Sequence, residues 1–269
     1  MSSSDPIRVP TMAEMLASGD TPEVLFWVGC AGSFDDRAKR ITKAFVRILN
    51  AAKVKFAVLG TEESCTGDPA RRAGNEFVFQ MQAQNNIMVM NGYGVKRIVT
   101  ACPHCFNTLK NEYPALGGNY EVMHHTQFIN ALMKEGRIKV EGGSFKGKRI
   151  TFHDPCYLGR HNGEYEAPRK LIHVLAKDAP LEFALQREKA MCCGAGGARM
   201  WLEETIGTRI NVARTEQALE LAPKVIATAC PYCAVMIGDG LKTLGREAEV
   251  ASKDIAELVA EALVRPAPH

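Results

Sequence analysis

The chain has 269 residues, 46% of them hydrophobic and 23% charged, enough for one large or two ordinary globular domains with cores of their own. Its net charge of +3, with no dense Lys/Arg run, leaves no electrostatic footprint for nucleic acid. The opening MSSSDPIRVP lacks the apolar core of a signal peptide, and no apolar run approaches the roughly 18 residues that span a bilayer. A cytoplasmic protein is expected, without direct membrane insertion and at most peripheral to the inner face of the membrane through partners. In such a reducing setting nine cysteines, an odd count, argue against structural disulfides and toward metal or redox chemistry.

Taken in chain order, EVLFWVGC (23–30) is a short apolar strand running to Cys30. A helix follows in which Ile41, Ala44, Phe45, Ile48 and Leu49 keep the spacing of one face. Cys65 lies in EESCTGDPARRAGNE, and a second helix falls within 74–91. RIVTAC (97–102) is the next strand, and its CPHC turn, with Cys102 and Cys105, opens another helix. EVMHHTQF ends a strand at His124 and His125, with Thr126 a fair N-cap for a helix within 126–135. The Gly/Lys-rich KVEGGSFKGKR (139–149) has no apolar period and divides a first repeat, 1–142, from a second, 143–269. There KRITFHDPC (148–156) is a strand running to Cys156, His173 occupies an apolar-periodic position expected in the core, and MCCGAGG carries Cys192 and Cys193. A long helix is expected over 199–221, then the strand KVIATAC (224–230) and the turn CPYC with Cys230 and Cys233.

The cysteines form one pattern written twice: Cys30, Cys65, Cys102, Cys105, then Cys156, Cys192, Cys193, Cys230, Cys233, with RIVTACPHC echoed by KVIATACPYC. Strands alternating with helices make βαβ units, so the fold class is α/β, a duplicated pair of Rossmann-like halves with parallel sheets. Ligands of such sheets sit beyond the C-terminal ends of the strands, which is where each half gathers its cysteines.

A structural zinc site draws four ligands from two short pairs and has no use for a fifth thiolate. Zinc or inert buried thiols therefore fit the second half poorly, and a dithiol redox pair needs fewer partners than either half supplies. An iron–sulfur cluster can take thiolates from scattered strand ends and from both members of an adjacent pair.

These residues carry a resemblance. The spacing of Cys156, Cys192-Cys193-Gly194 and Cys230-Pro231-Tyr232-Cys233 resembles that of the cysteine-rich CCG-domain iron–sulfur oxidoreductases typified by heterodisulfide reductase, with relatives in lactate-utilisation, glycerol-3-phosphate and succinate oxidoreductase complexes. The resemblance implies a noncubane [4Fe-4S] cluster on the five cysteines of the second half. It also implies a ferredoxin-like iron–sulfur subunit, a flavoprotein or a membrane quinone-reacting subunit as partner. In the first half Ser64 is read as standing where the first cysteine of the pair would be, with Thr66 intervening before Gly67. Four thiols remain, Cys30, Cys65, Cys102 and Cys105, which suit a cubane [4Fe-4S] cluster or a labile one.

The expected function is that of an oxidoreductase subunit passing electrons through two clusters. Disulfide or thiol chemistry is expected at Cys192 and Cys193, with His153 and His161 offered as proton donors or as hydrogen-bond donors to sulfur. A non-catalytic relay or metal-stabilised scaffold is the alternative. Asp68, Arg71, Arg72 and Glu76 would bind a carboxylate or a partner, or form a solvated helical turn. GAGGAR lacks the order of a dinucleotide fingerprint, so neither NAD nor flavin is assigned to this chain.

Overall fold

The computed structural model describes residues 9–264, and residues 1–8 of the stretch read for an export signal lie outside that range. In chain order the elements are α1 (Met12–Ala17), β1 (Val24–Trp27), α2 (Gly29–Phe34), α3 (Asp36–Ala51), β2 (Phe56–Ala57), α4 (Asp68–Arg72), α5 (Glu76–Gly92), β3 (Arg97–Thr100), α6 (Pro103–Asn107), β4 (Glu121–His124) and α7 (His125–Lys134). They continue with β5 (Ile150–Phe152), α8 (Glu166–Ala176), α9 (Ile210–Glu220), β6 (Val225–Thr228), α10 (Pro231–Thr243), β7 (Ala251–Asp254) and α11 (Ile255–Glu261). One parallel sheet has the order β2-β1-β3-β4 and the other β5-β6-β7, with Leu181 bridging β5 in parallel on its free side, so both sheets follow one plan. Among the described residues no helix is long and apolar enough to cross a membrane.

The strands are short runs such as VLFW and VIAT in which every residue is buried, as expected where helices cover both faces of a parallel sheet. Helix starts are fixed by side chains: Asp35 accepts from Ala38 N, Asn75 from Val78 N, and Asp254 from Ala256 N. Pro103 and Pro231 occupy the first turns of α6 and α10, where the missing N–H is no loss, leaving Cys102 and Cys230 as the N-cap residues. One hydrophobic core spans both halves and includes Trp27, Phe45 and Ile48 from the first and Phe152, Leu171 and Ile255 from the second.

Three expectations are corrected. The helix over 199–221 is a single 3-10 turn, Arg199–Trp201, then a loop, and a helix only from Ile210. Gly197, Ala198 and Gly207 take positive φ, and the Glu204 carboxylate binds both the Arg199 side chain and Ile210 N, which folds the segment back on itself. His173 is exposed, because α8 turns Leu171, Ile172, Leu175 and Ala176 inward. Thr126 does not cap α7. His124 is the N-cap residue, its N–H donating to Gln127 Oε1 while its ring meets Thr126 Oγ1.

Candidate metal centre

Each half brings its cysteines to the C-terminal edge of its sheet. Cys30 follows β1 in the first turn of α2, Cys65 lies in the loop before α4, and Cys102 and Cys105 open α6. Cys156 follows β5, Cys192 and Cys193 lie in the loop before α9, and Cys230 and Cys233 open α10. The outer thiols, Cys30, Cys65, Cys156 and Cys192, are half-buried, whereas Cys102, Cys105, Cys193, Cys230 and Cys233 are buried. The structure thus gathers all nine, four in one half and five in the other.

The thiols touch within each half. Cys30 hydrogen-bonds with Cys65, and Cys102 with Cys105. Cys156 bonds with Cys192, and Cys233 Sγ lies 3.4 Å from Cys193 Sγ. They also touch between halves, since Cys102 and Cys230 are hydrogen-bonded to each other. The bond from Cys65 brings Cys30 down to about 7, and bonds from Cys156 and Cys193 hold Cys192 far below the ordinary thiol range. Cys102 is likewise lowered, by bonds from Cys105 and Cys230. Thiolates are the form in which cysteine ligates metal.

The two CCG-like turns superpose in their hydrogen bonds, and this corrects the alignment of the halves. Gly67 N donates to Cys65 Sγ at 3.5 Å and Gly194 N to Cys192 Sγ at 3.3 Å, with φ of 88° and 89° at the two glycines. Cys65 bonds to Cys30 as Cys192 bonds to Cys156. Thr66 Oγ1 points at Cys105 Sγ (3.9 Å) as Cys193 Sγ points at Cys233 Sγ. The register needs no intervening residue: Cys65 matches Cys192, Thr66 replaces Cys193, and Ser64 lies outside the pair. Ser64 Oγ instead donates to Asn86 Oδ1. Both glycines are demanded by their turns, and a Cβ at Gly67 would meet Phe79 at 2.8 Å.

Several residues around the thiols were not singled out from the sequence. Tyr232, inside CPYC, reaches across to the other half, its Oη 3.1 Å from Cys30 Sγ. His104, at the matching place in CPHC, stacks on Tyr157 at 4.1 Å and bonds to Asp68 Oδ2 at 2.8 Å. Their signal was the one variable position of a repeated CPxC motif. Asp68, Arg71, Arg72 and Glu76 are paired among themselves and with Glu112 rather than left for a ligand. Glu63 accepts from Val28 N and Gly29 N beside Cys30, yet burial lifts it to about 7.

Of the four histidines weighed, His153 is buried, and a ring nitrogen of it lies within 4.8 Å of the Cys193 and Cys233 sulfurs. Burial and the nearby Arg214 charge lower it to about 3. His161 is exposed, its ring 4.6 Å from that of Tyr157. His124 and His125 are wholly buried away from solvent: His124 bonds to the backbone of Ala101 and Ala229, and His125 Nε2 lies 2.9 Å from Asp254 Oδ1 of the other half.

The donor set fits a thiophilic, multi-iron group. Soft sulfur ligands dominate it, two come from adjacent residues, and a buried guanidinium nitrogen, Arg214 Nη2, faces this neighbourhood without a hydrogen-bond partner.

Comparison with known proteins agrees. The cysteine-rich CCG domain matches twice, at residues 24–110 and 150–238. The chain is 46% identical over 257 residues, 96% of its length and 36% of the relative's, to the probable iron-sulfur-binding oxidoreductase FadF of Bacillus subtilis. It is 46% identical to the EtfAB:quinone oxidoreductase of Syntrophomonas wolfei, covering 90% of this chain and 34% of that one. One subunit of the dihydromethanophenazine:CoB–CoM heterodisulfide reductase of Methanosarcina barkeri is 34% identical, over 91% of this chain and 60% of its own. The chain therefore spans about a third of the length of the two bacterial relatives.

Proposed function

We propose, from the premise that the chain belongs to the CCG cysteine-rich domain family, that it is an iron–sulfur oxidoreductase unit whose two halves, 1–142 and 143–269, pass electrons between neighbouring clusters. Cys30, Cys65, Cys102 and Cys105 would hold a cubane [4Fe-4S] cluster or a labile one. Cys156, Cys192, Cys193, Cys230 and Cys233 would hold a noncubane [4Fe-4S] cluster. When bound, these groups supply one-electron redox chemistry. The observation that carries the reading is the meeting of Cys102 with Cys230, which sets the two thiol groups edge to edge.

The chain's own residues divide the remaining work. Tyr232 binds the first half's Cys30 from the second half, tying the geometry of one site to the other. Exposed His161, backed by Tyr157, is the histidine placed to bring a proton from solvent, while sealed His153 serves as a fixed hydrogen-bond partner. Partners would be a ferredoxin-like iron–sulfur subunit, a flavoprotein or a membrane quinone-reacting subunit, with any membrane association peripheral. The half-buried Cys192, depressed in pKa beside Cys193, favours a second reading in which the second half also reduces a disulfide.

EPR of the anaerobically reduced, iron–sulfur-loaded chain tests the first reading. Two signals broadened by mutual spin coupling are expected, and two fully independent signals would contradict adjacency. Reoxidation by low-molecular-weight disulfides and by quinone analogues, each followed at both signals, separates the second reading from plain electron transfer.

A further inference from the structure

The inward face of α9 is unusually polar for a buried helix. Asn211, Arg214 and Thr215 are all fully buried. The Arg214 guanidinium lies over the Phe183 ring at 3.6 Å. Its Nε donates to His153 Nδ1 at 3.2 Å, and its Nη1 to Gln217 Oε1 at 2.8 Å and Leu185 O at 3.3 Å, while Nη2 has no partner. Every acceptor is neutral. The buried acid nearby, Asp154, is held in a two-pronged bond by Arg169, at 2.7 and 3.0 Å. Among the described residues no carboxylate forms an ion pair with Arg214.

Burying a cation without an anion costs several kcal/mol. Burial does pull the Arg214 side chain down, to about 10, which still leaves it positive at neutral pH. The negative charge that faces it comes from Cys193 and Cys233. His153 stands between: a guanidinium can only donate, so His153 Nδ1 must present its lone pair, and the neutral ring carries its proton on Nε2. A ring nitrogen of His153 lies within 4.8 Å of both sulfurs. The first half has no such cation, since α5, which corresponds to α9, contains neither Lys nor Arg.

We propose that Arg214 is a positioning residue that raises the reduction potential of the second-half site, by its fixed positive charge and by locking His153 as an N–H donor toward the Cys193 and Cys233 sulfurs. The inference rests on the iron–sulfur reading above and adds direction to it. A fixed cation stabilises whichever redox state carries more negative charge, which is the reduced one, so electrons are biased from the first half toward the second.

The test compares the loaded wild type with Arg214→Gln and Arg214→Lys by redox-poised EPR, the second-half signal being the one that Cys192→Ser removes or converts. R214Q is expected to shift the reduced-to-oxidised ratio of that signal at least tenfold toward oxidised at fixed potential, a fall of about 59 mV for one electron. R214K should stay near wild type, and the first-half signal should not move. If R214Q does not fold, Arg214→Met, which keeps an apolar stem against Phe183 and drops the charge, makes the same comparison. An unchanged midpoint in the neutral variant, or an equal fall in R214K, overturns the proposal while leaving the iron–sulfur reading intact. A wild type that binds neither iron nor sulfide overturns the reading itself.

Discussion

Thr66 is the residue at which the two halves part company. Its hydroxyl takes the place of the Cys193 thiol opposite Cys105, with the neighbouring Cys65 and Gly67 bonded as Cys192 and Gly194 are. A hydroxyl is a poor ligand for iron beside soft thiolates, so the first half is left with four donors. Thr66→Cys should supply the fifth and bring the first-half EPR signal toward the character of the second. Ser64→Cys should leave that signal alone, because Ser64 faces Asn86. The reverse pattern, S64C converting the site and T66C not, would restore the alignment in which Ser64 is the substituted position. The sequence showed which thiols belong to which half, because the CPxC phrases repeat. It did not show which of two adjacent residues was substituted, since two registers one residue apart fit the letters equally. Only the N–H to sulfur bond of each glycine decides between them.

At the scale of elements, the site depends on two turns whose glycines lie near φ of 90°, a region costly for any side chain. The turns differ in the room behind them. A Cβ at Gly67 would lie 2.8 to 3.1 Å from Phe79 side-chain and backbone atoms, whereas one at Gly194 would lie 3.2 Å from the Ile210 side chain. Gly67→Ala should therefore destabilise by the backbone cost of about 1–2 kcal/mol plus about 1–3 kcal/mol of overpacking. Gly194→Ala should show chiefly the backbone cost. Urea denaturation of the metal-free chains measures both, and equal losses would mean that the Phe79 contact is soft. Strands ending near cysteines and the helices α3, α5 and α7 were legible from apolar period. The segment 199–209 was not, because Trp201, Leu202 and Ile206 mimic a helix face yet are exposed, and what holds the loop is the non-periodic Glu204. Arg214 was missed for a related reason, as a lone Arg in a helical pattern reads as surface until the face it lies on is known to be buried.

At the scale of the molecule, the two repeats behave as one body. A single core runs through both, His125 of one half meets Asp254 of the other, and Arg37 is bound to both oxygens of Glu257 and to Ser252 O. His124 bonds to the backbone just ahead of Cys102 and of Cys230, so the two cysteine-bearing helix starts are held at a fixed separation. The duplication was readable from the letters. That the duplicated edges face each other was not, because no periodicity within a repeat reports how repeats pack. From this packing comes the claim that the chain holds two adjoining iron–sulfur sites rather than two separate structural metals, and composition tests it most directly. Anaerobically prepared chain should contain about eight iron and eight acid-labile sulfide per molecule, the content of two [4Fe-4S] groups. Zinc bound without sulfide would contradict it.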